Sequence, residues 1–252
     1  MASRSGATAA HHIVALDEPA NPWFTWDYVR DNSGDLQEAL QQHVVLTVET
    51  IVIGLLIAFP LAILAHRYRL LAGPVLATTG ALYTVPSLAL FAFLAPYTGL
   101  TQRTVLIGLV MYALLILVRN ILAGLEGVPP DVKEAAEGMG YSWSRMLWKI
   151  ELPVALPAVM AGVRVATVST VALVTVGVIV GYGGLGGLML RGFQNNFYRA
   201  EIVTASVLTI ALGLAFDVLL AWATRAVTPW SRNTARRSLV ARLRGSSEEA
   251  AA

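Results

Sequence analysis

The residues whose types and spacing best suit a specific molecular function lie in one polar segment, residues 134–153, between two long apolar runs. The segment reads EAAEGMGYSWSRMLWKIELP, which is E-A-A, three residues, glycine, nine residues, and then I-x-L-P. Two adjacent alanines give a narrow surface that another protein can approach closely, and a glycine permits a tight turn. This chemistry favours protein docking over catalysis. The spacing fixes Glu134, Ala135, Ala136, Gly140, Ile150, Leu152 and Pro153.

The residues around this spacing predict a helix–turn–helix. Pro129 and Pro130 block a helix upstream, and Asp131 is expected to cap a short helix that reaches Ala136. Gly140 would then turn the chain into a second helix. That second helix carries apolar residues at helical spacing: Trp143, Met146, Leu147 and Ile150. An ordinary amphipathic loop would explain the apolar face but not the whole spacing.

Composition indicates a membrane protein with an all-α fold. Of the 252 residues, 56% are hydrophobic and 13% charged, and the apolar residues come in long blocks. Cysteine is absent, which excludes disulfides and thiolate metal sites. The net charge of +2 is too small for a nucleic-acid partner. No G-x4-G-K-[ST] sequence occurs, so the chain lacks a nucleotide-phosphate loop of that kind.

We expect one membrane domain over residues 41–229, with the polar insert at 126–153. Residues 1–40 would form an external tail without a signal peptide, followed by an aromatic interfacial segment, and 230–252 a basic cytoplasmic tail. His11 and His12 are not expected to bind a metal. Pro74 should start the second span and Pro86 should interrupt it. The five spans are predicted at residues 44–65, 72–96, 104–119 or a few residues beyond, 165 to about 180, and 202–224.

Two carboxylates lie within these spans, where an unpaired charge is costly. Glu49 is close to a span end, which favours an interfacial side chain over one that faces a wet cavity or a partner. Asp217 lies at the centre of the fifth span. Pairing with an arginine or with hydroxyl groups is preferred there over attraction of a cation. Arg119 and Arg164 are expected to anchor span ends at the interface, although Arg164 could also reach a carboxylate of the insert.

Basic residues predict the orientation of the chain. The turn after span one, the insert and the tail hold eleven Lys or Arg, against five in the segments on the other side. The insert and the C-terminus should therefore be cytoplasmic and the N-terminus external.

The spacing of residues 134–153 resembles, without a gap, the cytoplasmic coupling loop of ABC-importer permeases of the binding-protein-dependent (MetI-like) type. Further segments resemble the branch of these permeases that imports osmoprotectants such as glycine betaine, choline and carnitine. Ile116 and Ile121 depart from that branch, which usually has Pro and Thr there. The similar segments are YTVPSLAL, YALLILVRN, GLEGVPPDVKEAAEGMG, LPVALPAVMAGVR, GYGGLG, Asp217 and the pair Thr228-Pro229.

The resemblance implies a multi-pass permease of the bacterial inner or plasma membrane, paired with a second permease that is identical or a paralogue. Its implied partners are ABC ATPase subunits at the insert and an external substrate-binding protein. ATP and Mg²⁺ would be bound by the ATPase, no cofactor or metal by this chain, and the chain itself would not be an enzyme. The glycines after span four should allow a tight turn and close packing, or else act in gating. Candidate pathway or gating residues are Pro86, Ser87, Tyr182, Gly183, Gly184, Gly186 and Asp217.

Other functions stay open at this point. A permease of the same type for methionine, a thiol-histidine betaine or a sulfonate would have the same coupling loop. A membrane enzyme would need clustered carboxylates, a His-x-x-x-His pair or a Ser/Lys pair within the spans, and none is present. A channel or a proton-coupled carrier would leave the coupling loop unexplained.

Overall fold

A computed structural model describes residues 21–230, and this range is helical without a strand. His11 and His12, which were not expected to bind a metal, lie outside the described residues, and so does nearly all of the basic tail. A π-helical segment, Leu147–Glu151, joins α7 to α8, and a 3₁₀ segment, Thr175–Val180, follows α8. The α-helices are α1 (Trp26–Asp31), α2 (Ser33–Arg67), α3 (Arg69–Thr84), α4 (Ser87–Thr98), α5 (Gln102–Glu126), α6 (Pro130–Gly138), α7 (Trp143–Met146), α8 (Leu152–Val174), α9 (Leu185–Gln194) and α10 (Arg199–Val227).

The described range contains four helical stretches long and apolar enough to cross a membrane: α2, α5, the stretch Trp143–Val180, and α10. Helices α3 and α4 give a fifth span if they are counted together, although their axes are bent by 94°. The predicted all-α architecture of about five spans is therefore confirmed, and so is the predicted break at Pro86.

The span boundaries differ from the prediction in an informative way. Helix α2 begins at Ser33, so residues 33–40 continue directly into the first long helix. Helix α3 begins at Arg69, which places Pro74 inside the helix and not at its start. Backbone hydrogen bonding continues through polar residues, whereas hydropathy marks only the apolar part of a helix.

The largest correction concerns the fourth span. It was predicted at 165–180, but one helical stretch runs from Trp143 to Val180 without a gap. Pro153 is tolerated because it occupies the start of α8, directly after the π-helical segment has already altered the hydrogen-bonding pattern. At about 1.5 Å per residue the stretch is roughly 55 Å long, well beyond the ~30 Å hydrocarbon core. The second helix of the insert is therefore the end of a membrane helix.

Helix α5 lies at the centre of the bundle and packs against both α2 and α8. Small residues allow these close contacts: Gly124 of α5 lies against Ala155, and Gly162 of α8 lies against Asn120. Helix α10 packs against α8 and α9 and leaves most of its surface exposed. That surface is available to lipid or to another subunit.

Candidate functional site: a docking insert and a polar far end

The insert forms the predicted helix–turn–helix, and its turn is a Schellman motif. The Tyr141 amide donates to the Ala136 carbonyl (3.1 Å) and the Gly140 amide donates to the Glu137 carbonyl (2.9 Å). Gly140 has φ +76°, in the left-handed region, and a Cβ there would meet no neighbouring atom. Glycine is therefore required at this position by backbone conformation alone.

The seven positions of the spacing divide into three groups in the structure. Glu134 and Ala135 are exposed on α6, whereas Ala136 is fully buried, so only one of the two alanines offers surface to a partner. Asp131 lies in the first turn of α6, and Pro129 occupies the capping position that had been predicted for Asp131. Gly140 forms the turn. The half-buried Ile150, Leu152 and Pro153 lie where the π-helical segment passes into α8.

A buried ion cluster, missed from the sequence, attaches the insert to the first span. The carboxylate of Glu151, which is 1% exposed, accepts from Lys133 Nζ (2.9 Å) and pairs with His66 Nε2 (3.0 Å). Next to it the Arg67 guanidinium lies 5.0 Å from the ring centre of Trp143. The sequence did offer one signal, since Glu151 lies between Ile150 and Leu152 of the conspicuous spacing. It could not show the partners of Glu151, because His66 and Lys133 come from other segments of the chain.

Arg164 lies on α8, and no insert carboxylate contacts it, so the alternative prediction of a salt bridge to the insert is wrong. Its anchoring of a span end stays a prediction. Its guanidinium grips Asp217 of α10 through bonds of 2.7 and 2.8 Å from Nη2 and 3.0 Å from Nε. Asp217 thus has an arginine partner, in agreement with the prediction that it pairs with an arginine or with hydroxyl groups. Both side chains are about one-third exposed and line a cleft of about 690 Å³ between α8 and α10.

The break at Pro86 has a specific stabilising contact. The hydroxyl of Tyr112, on α5, donates to the carbonyl of Val85, which the bend leaves without a helical partner. Its ring also packs edge-on against Tyr83, with ring centres 5.8 Å apart. Pro86 is exposed and Ser87 half-buried at the bend. The predicted shaping role of Pro86 agrees with this geometry.

Three glycines of the turn over residues 181–186 are packed too closely to carry a side chain. A Cβ at Gly184 would lie 2.8 Å from the Cβ of His43, one at Gly183 would lie 2.6 Å from the Val178 amide nitrogen, and one at Gly186 would overlap the Thr175 carbonyl. Gly184 also has φ +53°. Close packing, the preferred role for these glycines, therefore has direct structural support.

Two residues of α2 that the sequence reasoning missed hold this turn. Gln42 Oε1 accepts from the Gly184 amide (2.9 Å), and His43 Nδ1 accepts from the Leu185 amide (3.3 Å). Since Nδ1 accepts, Nε2 carries the proton and donates to the Val171 carbonyl at 2.9 Å. The fully buried His43 therefore joins α2, α8 and the turn as a neutral side chain.

Tyr182 and Glu49 line a second cavity, of about 500 Å³. Glu49 is half-buried and accepts a hydrogen bond from Gln102 Nε2 (3.0 Å). Glu49 therefore lines a polar cavity and has a partner, which is the alternative that the sequence left open, and its place at the membrane interface stays a prediction. Within residues 21–230, no group of three or more His, Cys, Asp or Glu side chains could hold a metal ion.

Several apolar spans, a polar helix–turn–helix continuous with one of them, and polar cavities between helices define a multi-pass membrane protein of the transporter class. The chain belongs to the family described as "Binding-protein-dependent transport system inner membrane component", whose profile matches residues 50–232.

Similar proteins cover most of the chain. The "Glycine betaine/carnitine/choline transport system permease protein OpuCD" of Bacillus subtilis is 33% identical, with 80% of this chain and 88% of that protein covered. The "Osmoprotectant import permease protein OsmW" of Salmonella typhimurium is 34% identical (78% and 93% covered). The "Choline transport system permease protein OpuBB" of Bacillus subtilis is 30% identical (87% and 95%).

Solved structures share the fold. A chain of an inward-facing structure of the MetNI methionine ABC transporter superposes with a TM-score of 0.70 over 79% of this chain and 98% of that chain. A chain of an amino acid ABC transporter crystallised with histidines gives 0.63 over 80% and 98%. The identities are 21% and 17%, so these likenesses concern the fold alone.

Proposed function

We propose that this chain is the permease subunit of an ATP-driven importer and forms the pathway for a quaternary ammonium osmoprotectant that an external binding protein delivers. Membership of the binding-protein-dependent family supports the class of transporter. The solute class is supported by relatives that are 30–34% identical and named as permeases for glycine betaine, carnitine and choline or for osmoprotectants. The likeness to a methionine transporter does not favour methionine, because it extends only to the fold.

The observation that carries the proposal is the continuity of the insert with a membrane helix. Glu134 and Ala135 are exposed on α6 for contact with an ATPase, and the helix that follows the Gly140 turn runs without a gap to Val180. The Glu151 cluster ties this junction to α2. A displacement of the insert would therefore move the ends of two membrane helices together.

The transport cycle then follows from the class. Two ATPase copies dock on the inserts of two permease subunits, which are two copies of this chain or this chain and a paralogue. ATP-driven closure of the ATPases brings the inserts together and opens the pathway outward, and hydrolysis returns it inward. ATP and Mg²⁺ belong to the ATPase, so the chain contributes no catalytic residue. The N-terminus lies outside and the C-terminus in the cytoplasm of a bacterial cell, in accord with the distribution of basic residues.

The residues of the pathway are those at the bend and at the polar far end. Pro86 and Ser87 shape the bend, while Gly183, Gly184 and Gly186 fix the turn that carries Tyr182. Asp217 holds Arg164 beside the cleft between α8 and α10. Contacts with the solute inside the membrane should be weak, because tight binding would oppose release.

Uptake of labelled glycine betaine tests the proposal in cells that lack this chain and every other betaine importer. We expect uptake to return with the wild-type chain and to stay at background with Glu134→Lys, which reverses the charge on the docking surface. Glu38→Lys reverses an equally exposed charge on α2 and should restore uptake. If the wild-type chain is present in the membrane but betaine uptake does not return, the proposed solute is wrong. If uptake returns with Glu134→Lys, the proposed docking surface is wrong.

A further inference from the structure

The second cavity, lined by Glu49 and Tyr182, lies at the end of the bundle opposite the insert. The transport cycle described above does not state what this cavity binds. Gln102 marks its position, because α5 begins there and ends at Glu126, beside the insert. Three parts of the chain contribute: α2, the end of α4 with the turn and the first residues of α5, and the turn after the 3₁₀ segment. The cavity measures about 500 Å³ and is lined by Glu49, Thr98, Thr101, Gln102, Arg103, Leu106 and Tyr182.

The cavity holds one carboxylate and one guanidinium that are not bound to each other. Glu49 accepts a hydrogen bond from Gln102, and among residues 21–230 no cation forms an ion pair with it. Arg103 has neither an ion pair nor a hydrogen bond to any of these residues. An unneutralised pair of opposite charges in one cavity is complementary to a ligand that itself carries both charges.

The aromatic ring and the charged groups of the cavity indicate which positive and negative groups the ligand carries. The ring of Tyr182 is half-buried and lines the same cavity as Glu49. A quaternary ammonium group donates no hydrogen bond, so an aromatic face and a nearby carboxylate are the contacts that attract it. A ligand carboxylate is held instead by a guanidinium, which offers charged N–H donors.

We propose that this cavity binds a small zwitterion, with its quaternary ammonium group toward Glu49 and Tyr182 and its carboxylate toward Arg103. The proposal rests on the proposed function and deepens it, because it separates two kinds of solute. Glycine betaine and carnitine carry both charges, whereas choline has no carboxylate. Arg103 therefore determines specificity for zwitterions, and Glu49 serves both kinds of solute.

The test measures uptake of glycine betaine and choline by the full transporter, with ATPase and binding protein, in liposomes of phosphatidylethanolamine and phosphatidylglycerol. These lipids contain no quaternary ammonium headgroup that could fill the cavity. We expect Arg103→Gln to raise the half-saturating concentration of glycine betaine about tenfold, the scale of one charge-assisted contact. Choline uptake should stay the same or improve. Glu49→Gln should weaken uptake of both solutes about tenfold.

Control variants distinguish a loss of solute recognition from a loss of folding or assembly. Arg30→Gln and Glu38→Gln remove equally exposed charges from the same end of the molecule and should leave both solutes unaffected. Tyr182→Leu removes the aromatic ring from the cavity and should weaken uptake of both solutes. Arg103 is exposed, so its replacement should preserve the fold, which equal ATPase activity and thermal midpoint in detergent would verify.

Two results would overturn the site. One is an equal loss of glycine betaine and choline uptake with Arg103→Gln, and the other is unchanged uptake with both Arg103→Gln and Glu49→Gln. Wild-type transporter that carries neither solute would instead overturn the proposed function, and the ligand class of this cavity with it.

Discussion

The two ends of this molecule handle charge in opposite ways. At the insert, Glu151 is 1% exposed, forms an ion pair with Lys133 and contacts the His66 ring, so its charge is satisfied within the protein. At the far end, Glu49 and Arg103 share a cavity without an ion pair between them. A satisfied buried charge favours one fixed arrangement of helices, whereas unsatisfied charges favour a ligand. This contrast agrees with the proposals above, in which one end transmits force and the other recognises the solute.

Loss of the Glu151 carboxylate should have the largest effect at the transmitting end. Glu151→Ala leaves Lys133 and His66 without their partner in a mostly buried site, and breaking such a pair costs about 3–5 kcal/mol. We expect a marked fall in the thermal midpoint in detergent and loss of solute uptake. Glu137→Ala, at an exposed position of α6, is the control and should change neither quantity. A Glu151→Ala protein with wild-type stability and uptake would remove the contrast between the two ends.

The glycine turn at the far end should respond to a single methyl group. Gly186→Ala would overlap the Thr175 carbonyl, and overpacking of this kind costs about 1–3 kcal/mol. Gly187→Ala is its matched control, because a Cβ at Gly187 meets no atom within 4 Å. Thermal midpoints of the two variants should differ by several degrees. Equal midpoints would show that the turn is looser than its packing indicates.

The turn of the insert should respond more weakly, since only backbone conformation is at stake. Gly140→Ala forces a side chain into the left-handed region, at about 1–2 kcal/mol, with no steric overlap. Gly138→Ala, two residues earlier and also without a neighbour within 4 Å, should be neutral or slightly stabilising. Hydrogen exchange of the insert amides would report the difference, and equal exchange in both variants would contradict the requirement for glycine.

Asp217→Asn should have the smallest effect on stability, because an amide of the same size can still accept a hydrogen bond from Arg164 beside the cleft. If the pair is structural, the variant should fold slightly less well and transport normally once the amount of protein is equalised. A fall in uptake per folded transporter would instead make Asp217 part of the recognising region. Uptake normalised to protein in the membrane distinguishes the two results.

Much of the candidate site could be predicted because its signals are local in sequence. The Schellman turn at Gly140 needs only a glycine after a short helix, and the bend at Pro86 follows from a missing amide donor. The omissions arose where distant segments meet. The arginine that pairs with Asp217 could not be named because Arg164 lies 53 residues away, and Glu151 was overlooked because His66 lies 85 residues away.

The sequence by itself determined the membrane class, the helical content and the spacing of the docking insert, since hydropathy, proline and glycine act over a few residues. Only the tertiary structure decided which charges are paired and which face a cavity. Electrostatic energy depends on distances through space, and the packing of α2, α5, α8 and α10 sets those distances. For that reason Glu49 and Arg103, 54 positions apart, become one candidate site only in the folded chain.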